Sequence, residues 1–436
     1  MGQTLSEPVV DKHSSAGGDE RYIYGASAMQ GWRISMEDAH TTVLKIGPDG
    51  ESAFFAVYDG HGGQTAAKFA GAMLHEYIIK DENYSKGDYA AAIKRGYLEM
   101  DSALRQFPEM ENDSSGCTAI SVLLTKDGAA FCGNAGDSRS IISTKGRAIA
   151  LSHDHKPTDD IEFNRITSGG GYVEFGRVNG NLALSRALGD FEFKNNRTLS
   201  AEKQIVTAQP DVIKHALSVD DEFIVVACDG IWDCMTNQQV VQFVHAKIAE
   251  GKKLDQVCEE MMDRCLASES DLGGVGCDNM TVIVLGILNG KTEDEWYEHV
   301  KQVAEETGMK SSPKIDRSSG SEAAEDGAAI INSILARAAA HHDIDDEHDD
   351  EHNDEQQPEN AMSSSKEHAA ATDIGIDAGA DVPDIARVVH AENAAKAADV
   401  KPADDSDAAV VKPAEEAADG SRGEGNDRKP EKPAEH

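Results

Sequence analysis

Lysine and arginine are scarce. There are 41 of them against 79 Asp and Glu, giving a net charge of −38. Nucleic-acid binding needs cations clustered along the phosphates, so a chain this acidic is not expected to use it. Basic protein segments and bound cations are better-matched company. Aromatic residues are missing from residue 311 onward: all 3 Trp, 9 Tyr and 11 Phe precede it. That segment carries 31 acidic and 12 basic residues and is rich in Ala. It cannot bury enough apolar area to offset the entropy of ordering, so 311–436 is expected to be a disordered acidic tail. All 7 Cys also lie before it, and no pair has CxxC spacing. An odd count without that spacing indicates neither a disulfide framework nor a zinc site, and reduced thiols fit the cytoplasm or nucleus. No apolar run approaches the roughly 18 residues of a membrane span, and no signal-peptide core follows the N-terminus.

What remains is one folded domain over 22–290, long enough for a full core. A flexible, loop-like terminus over 1–21 is expected before it, and a helical extension over 291–310 after it. The start MGQTLS fits the myristoylation pattern, with Gly2 as acceptor and Ser6 in sixth place. It reads equally as an ordinary polar terminus. One such chain gives at most weak, reversible membrane association.

Strand-like runs begin at YIYGASAM and continue through AHTTVLKI and SAFFAVYDG. Residues 64–79 change to helical period, with Ala66, Phe69, Ala70, Met73 and Tyr77 on one face. A second helix is expected from an Asp88 cap through Ile93, Tyr97, Met100, Leu104 and Phe107. CTAISVLL, the Lys126-Asp127-Gly128 turn and AAFCGNAGD read as a hairpin that SRSIIST and AIAL extend. FIVVACDG, two further helices and MTVIVLGIL complete the domain. Strand blocks separated by helix pairs point to antiparallel sheets covered by helices, not to an alternating βαβ wind.

Carboxylates gather at strand ends. Asp59 follows FFAVY, Asp229 follows FIVVAC, Asp137 closes FCGNAG, Asp278 precedes the last strand, and Glu37 and Asp38 share an early loop. Each Asp-Gly alone reads as a tight turn. Together they lack a matching stock of cations, and an acid beside a buried strand is costly unless paired or coordinated. All-oxygen ligation suits Mg²⁺ or Mn²⁺. Two such ions roughly 4 Å apart, sharing a carboxylate and acidifying a water, suit phosphate-ester hydrolysis. Arg33 then serves as a bidentate phosphate holder and His61 as the acid that protonates the leaving oxygen.

FFAVYDGHGG resembles the signature of the metal-dependent type 2C protein Ser/Thr phosphatases, the PPM family. QGWRISMEDAH, SSGCTA, GNAGDSR, HKP, RVNGNLALSRALGD, ACDGIWD and GCDNMTVIV follow the family order and span residues 22–289. The start and the acidic tail are most similar to fungal members. The resemblance implies an α+β fold: a four-layer αββα sandwich, two antiparallel sheets flanked by helices, with a dinuclear metal site at one edge. It implies that Asp59 bridges both metals and that the Gly60 carbonyl completes the first site. Glu37, Asp229 and Asp278 serve the second, and Asp38 acts on the attacking water. Asp137, Asp229 and Asp233 match a weaker third metal site. Residues 165–190 become a flap beside the cleft, and Cys117, Cys132 and Cys228 belong to the core, not to a nucleophile.

The expected activity is hydrolysis of phosphoserine and phosphothreonine on proteins, protein kinases among the substrates, as a negative regulator of kinase signalling. A monomer in cytoplasm and nucleus is expected. Two other readings compete: an adaptor whose acidic tail binds basic partners, and a two-metal phosphoesterase for small molecules or nucleic acid. In the tail, HHDIDDEHDDEH and two apolar stripes, at Ile330, Ile331, Ile334 and Leu335 and at Ile385, Val388 and Val389, read as solvated acid and nascent or docking helices.

Overall fold

The computed structural model describes residues 4–48, 50–270 and 274–313. Gly2 and the tail segments named above lie outside the described residues.

Two antiparallel sheets form the centre. The first runs, in spatial order, Thr4–Gly18, Tyr22–Arg33, Met280–Ile287, Asp221–Ala227, Arg139–Thr144 and Arg147–Ala150. The second runs Asp211–Ala216, Ala129–Ala135, Ala119–Thr125, Ser52–Tyr58 and Ala39–Ile46. Ile224, Val226, Ile283 and Leu285 of the first pack on Phe55, Val57, Ile120 and Val122 of the second. The alternate residues Phe223, Val225, Val282 and Val284 face outward onto helices Asn237–Ala249 and Leu254–Cys265. Such strands are buried on both faces, which is why they read as unbroken apolar runs. Helices Thr65–Lys80 and Tyr89–Leu104 cover the outer face of the second sheet, and Asp88 caps the latter through the Ala91 N–H. The result is the four-layer αββα sandwich.

The terminus differs from expectation. Thr4–Gly18 is not a loop but an edge strand antiparallel to Tyr22–Arg33, from Gly18 opposite Ile23 to Thr4 opposite Arg33. Most of its side chains are polar or small, because an edge strand is held by its backbone ladder and needs apolar contact least. Ser14 Oγ meets Ser27 Oγ at 2.9 Å, and Lys12 pairs with Asp263 at 2.6 Å. At the other end, helix Glu293–Thr307 is tied into the core by Trp296 and Val300, both almost wholly buried. Among the described residues, no helix is long and apolar enough to cross a membrane.

Candidate metal centre

The antiparallel order brings one end of both sheets to the same edge. Asp59 leaves the second sheet there, Asp229 leaves the first, and Asp278 enters it two residues before Met280. The loop from Tyr22–Arg33 to Ala39–Ile46 crosses between the sheets and delivers Glu37 and Asp38. These segments frame a cleft of about 450 Å³ lined by Arg33, Asp59, Gly60, His61, Asp137, Asp229 and Asp278.

Close backbone approach assembles the floor. A Cβ on Gly60 would lie 2.1 Å from the Glu37 carbonyl oxygen, and one on Gly230 would lie 2.2 Å from that of Asn279. Asn279 accepts from the Glu37 N–H at 3.0 Å and donates to the Gln30 and Ser35 carbonyls at 2.8 and 2.9 Å, fixing the acidic loop. Glu37 is held by the Ser35 hydroxyl at 2.8 Å and the Gly63 N–H at 3.2 Å.

Negative charge here is under-compensated. Burial, and then the neighbouring Asp229, Asp38, Asp278 and Asp137, push the Asp59 carboxyl well above the usual range. Burial and the charges of Asp137, Asp278 and Asp233 do the same to Asp229, which touches Asp59. Burial raises Asp38 to about 7 although the Thr281 hydroxyl bonds its Oδ2 at 2.7 Å. Its Oδ1 is buried with no partner. Asp278 is raised by burial against the opposing pull of Arg33, its ion-pair partner. Asp233 at the rim is raised by burial, then lowered by Lys156 and raised again by Asp137. The donor atoms of Asp38, Asp59 and Cys228 lie within 4.8 Å of one another. Cys228 takes no ionic part: burial, with Asp38 and Asp59 beside it, keeps the thiol protonated. Carboxylates crowded on one floor, with an orphaned acceptor and oxygen donors alone, fit hard divalent cations.

Every expected site residue from 33 to 278 comes to this edge. Sequence reasoning missed those that hold them. Asp190 bonds His61 Nε2 at 2.8 Å, Lys156 bonds Asp137 at 2.6 Å, Thr281 bonds Asp38, and the Thr118 hydroxyl accepts from the Asp59 N–H at 3.2 Å. Asp190 and Lys156 lay inside recognised strings, RVNGNLALSRALGD and HKP, yet nothing local gave them a partner. Burial lowers the His61 imidazolium, but the Asp190 hydrogen bond and charge outweigh it, for a net rise. The expected flap holds the end of helix Asp160–Ser168 and a small hairpin, Val173–Glu174 with Arg177–Val178. Its inner residues Arg177, Asn181 and Leu182 wall the cleft. Cys117 and Cys132 are fully buried, as expected of core thiols.

Known proteins resemble this chain over the whole described domain. Residues 22–271 match the family model described as Protein phosphatase 2C. Protein phosphatase 2C homolog 2 of Hypocrea jecorina is 55% identical over 323 residues, 72% of this chain and 74% of the relative. A probable protein phosphatase 2C of Caenorhabditis elegans is 53% identical, covering 71% of this chain and 86% of its own. Among solved structures, a Toxoplasma gondii phosphatase superposes with TM-score 0.56 at 26% identity, over 65% of this chain and 97% of that one. Identity this high over the whole described domain places the chain in the protein phosphatase 2C family, as a protein serine/threonine phosphatase.

Proposed function

We propose that the protein removes phosphate from phosphoserine and phosphothreonine on other proteins with the help of two Mg²⁺ or Mn²⁺ ions. Asp59, the Gly60 carbonyl, Glu37, Asp229 and Asp278 would hold them, and Asp137 and Asp233 with Asp229 would hold a weaker third. The observation that carries this reading is the contact of Asp59 with Asp229, both pushed far up by burial and by each other's neighbours. Two carboxylates so placed need a shared proton or a cation between them. Bound there, divalent ions supply positive charge against the phosphate and acidify a water.

The chain's own groups do the rest. Arg33, two-fifths exposed into the cleft, turns from Asp278 to grip two phosphate oxygens. Asp38, with Oδ1 unengaged, takes the proton of the attacking water. As that oxygen bonds phosphorus, the bond to the serine or threonine oxygen breaks, and His61 gives the departing oxygen its proton. Solvent exchange returns both groups to their starting states. The seven Cys are buried, so no thiol serves as nucleophile, and direct attack by water needs no phosphoenzyme. Because kinases install the phosphate removed here, the protein acts as a negative regulator of kinase signalling, with phosphorylated proteins as its partners.

Phosphate release from a phosphothreonine peptide with Mg²⁺ or Mn²⁺, then with EDTA, tests the reading. Release must need the metal and be lost in Asp59→Asn with the fold intact; activity in EDTA would overturn it.

A further inference from the structure

His61 and Asp190 are 129 residues apart in sequence and meet across a single intervening strand. Three two-residue strands lie side by side: Leu188–Gly189, Gly116–Cys117 and Gly60–His61. His61 sits opposite Gly116, and Gly116 sits opposite Gly189. Only a residue with no side chain in the middle lets the outer two touch. A Cβ on Gly116 would lie 2.2 Å from Asp190 Oδ2 and 2.7 Å from His61 Nε2.

The Asp190 end of this arrangement is held from several sides. Asp190 is 4% exposed and adopts the left-handed conformation, φ +49°, that Asp and Asn tolerate best. Its N–H bonds the Ser115 carbonyl at 3.3 Å, and its own carbonyl accepts from Phe193 at 3.0 Å. Just before it, the Gly189 N–H donates to Asp101 at 2.8 Å. Lys194 clamps Asp101 through both oxygens, at 2.8 and 2.9 Å, and also bonds the Ala187 carbonyl. Arg186, nearly buried, is locked to Glu162 and Asp211. A carboxylate in so fixed a frame does not adapt to its partner; the partner adapts to it.

From this geometry we propose that Asp190 is the positioning residue for His61, accepting from Nε2–H and so reserving Nδ1 for the leaving serine or threonine oxygen. This rests on the role given to His61 above. An ionised carboxylate only accepts, so it fixes which ring nitrogen carries the engaged proton and stops the ring from turning. The logic is that of the buried acid behind the histidine of a serine-protease triad. The proton that reaches the leaving oxygen comes from Nδ1–H as the P–O bond breaks, while Asp190 goes on accepting from Nε2–H.

The readout that separates this role from a structural one is dependence on the leaving group. An alkoxide needs the proton, whereas p-nitrophenolate departs as a stable anion and does not. Asp190→Asn keeps the left-handed backbone acceptable, and Gly116→Ala displaces the contact without substituting either partner. Both are to be compared with His61→Gln and wild type in saturating Mn²⁺, on a phosphothreonine peptide and on p-nitrophenyl phosphate, after thermal melts confirm folding. We expect kcat on the peptide to fall about 10–100-fold in Asp190→Asn, with KM nearly unchanged and a far smaller fall on p-nitrophenyl phosphate. Gly116→Ala should follow the same pattern. Equal losses on both substrates, or no loss, while His61→Gln remains selective for the peptide, would overturn the positioning role and leave the general reading standing. A His61→Gln variant without that selectivity would overturn the role of His61 and this inference with it.

Discussion

Thr281 donates its hydroxyl to Asp38 Oδ2 at 2.7 Å, and this bond joins the two sheets at the acidic edge. Thr281 belongs to the central strand Met280–Ile287 of the first sheet, and Asp38 immediately precedes the Ala39–Ile46 strand of the second. One carboxylate oxygen is thereby fixed, and the other is left buried and free to take a proton.

Thr281→Val removes the hydroxyl and little volume. Partners of this kind are worth about 10–100-fold in activity when lost. We expect kcat on a phosphothreonine peptide to fall within that range while the melting temperature changes by a few degrees at most. Unchanged kcat would show that Asp38 does not depend on this bond.

The metal-free protein should lose stability as pH rises from 5 to 8. Asp59, Asp229 and Asp38 have folded pKa values raised above the ordinary range, chiefly by burial, with Asp38 at about 7. A raised group contributes stability below its unfolded pKa and loses it as pH climbs through the folded one. Glu162 and Asp211, held low, are fully ionised across this window and add no slope. The loss should be on the order of 1–3 kcal/mol, allowing for the open cleft. Saturating Mg²⁺ should raise the melting temperature and flatten the slope, because ions that bind only the folded state stabilise it. Thermal unfolding across pH with EDTA or Mg²⁺ checks both; a metal-free protein that gains stability over this range contradicts the account.

Deleting residues 4–18 should uncover the backbone of Tyr22–Arg33. Each ladder bond lost is worth ~1 kcal/mol net, and a bare edge invites pairing with another chain. The truncated protein is expected to melt several degrees lower and to self-associate, measured by thermal unfolding and size-exclusion chromatography.

That strand also marks the limit of what the sequence discloses. Asp59, Asp229 and Asp278 were legible because an acid abutting an unbroken apolar strand conflicts with burial, and conflict signals function. The central strands and long helices were legible from their periods. Thr4–Gly18 was not, since a polar edge strand is specified by a neighbour's backbone and not by its own side chains. Asp190, Thr281 and Lys156 escaped for a related reason: each acts on a residue that only the tertiary fold brings near. The pairing of His61 with Asp190 depends on Gly116 having no side chain, which no local pattern reports.

Glu162 anchors the segment beside the cleft. It is 2% exposed and bonds Arg165 at 2.5 Å and Arg186 at 2.7 Å. Burial alone raises its carboxyl, but Arg186 and Arg165 outweigh it and hold it at about 2. Glu162→Gln leaves the buried Arg165 without its counter-ion and Arg186 with Asp211 alone, a change that costs about 3–5 kcal/mol in comparable sites. We expect faster proteolysis within 160–190 and reduced activity with the sheets intact. Limited proteolysis with mass spectrometry checks this, and wild-type protection would refute it.

The central claim is that the acidic edge works by holding divalent cations at Asp59 and Asp229. The most direct measurement is phosphate release from a phosphothreonine peptide by wild type and Asp229→Asn, titrated with Mn²⁺, beside calorimetric binding of Mn²⁺ to the same proteins. Wild type should bind the ion and turn over only when it is bound, and Asp229→Asn should be folded, bind Mn²⁺ more weakly and release little phosphate. A folded Asp229→Asn with wild-type binding and turnover, or a wild type active in EDTA, would contradict the account.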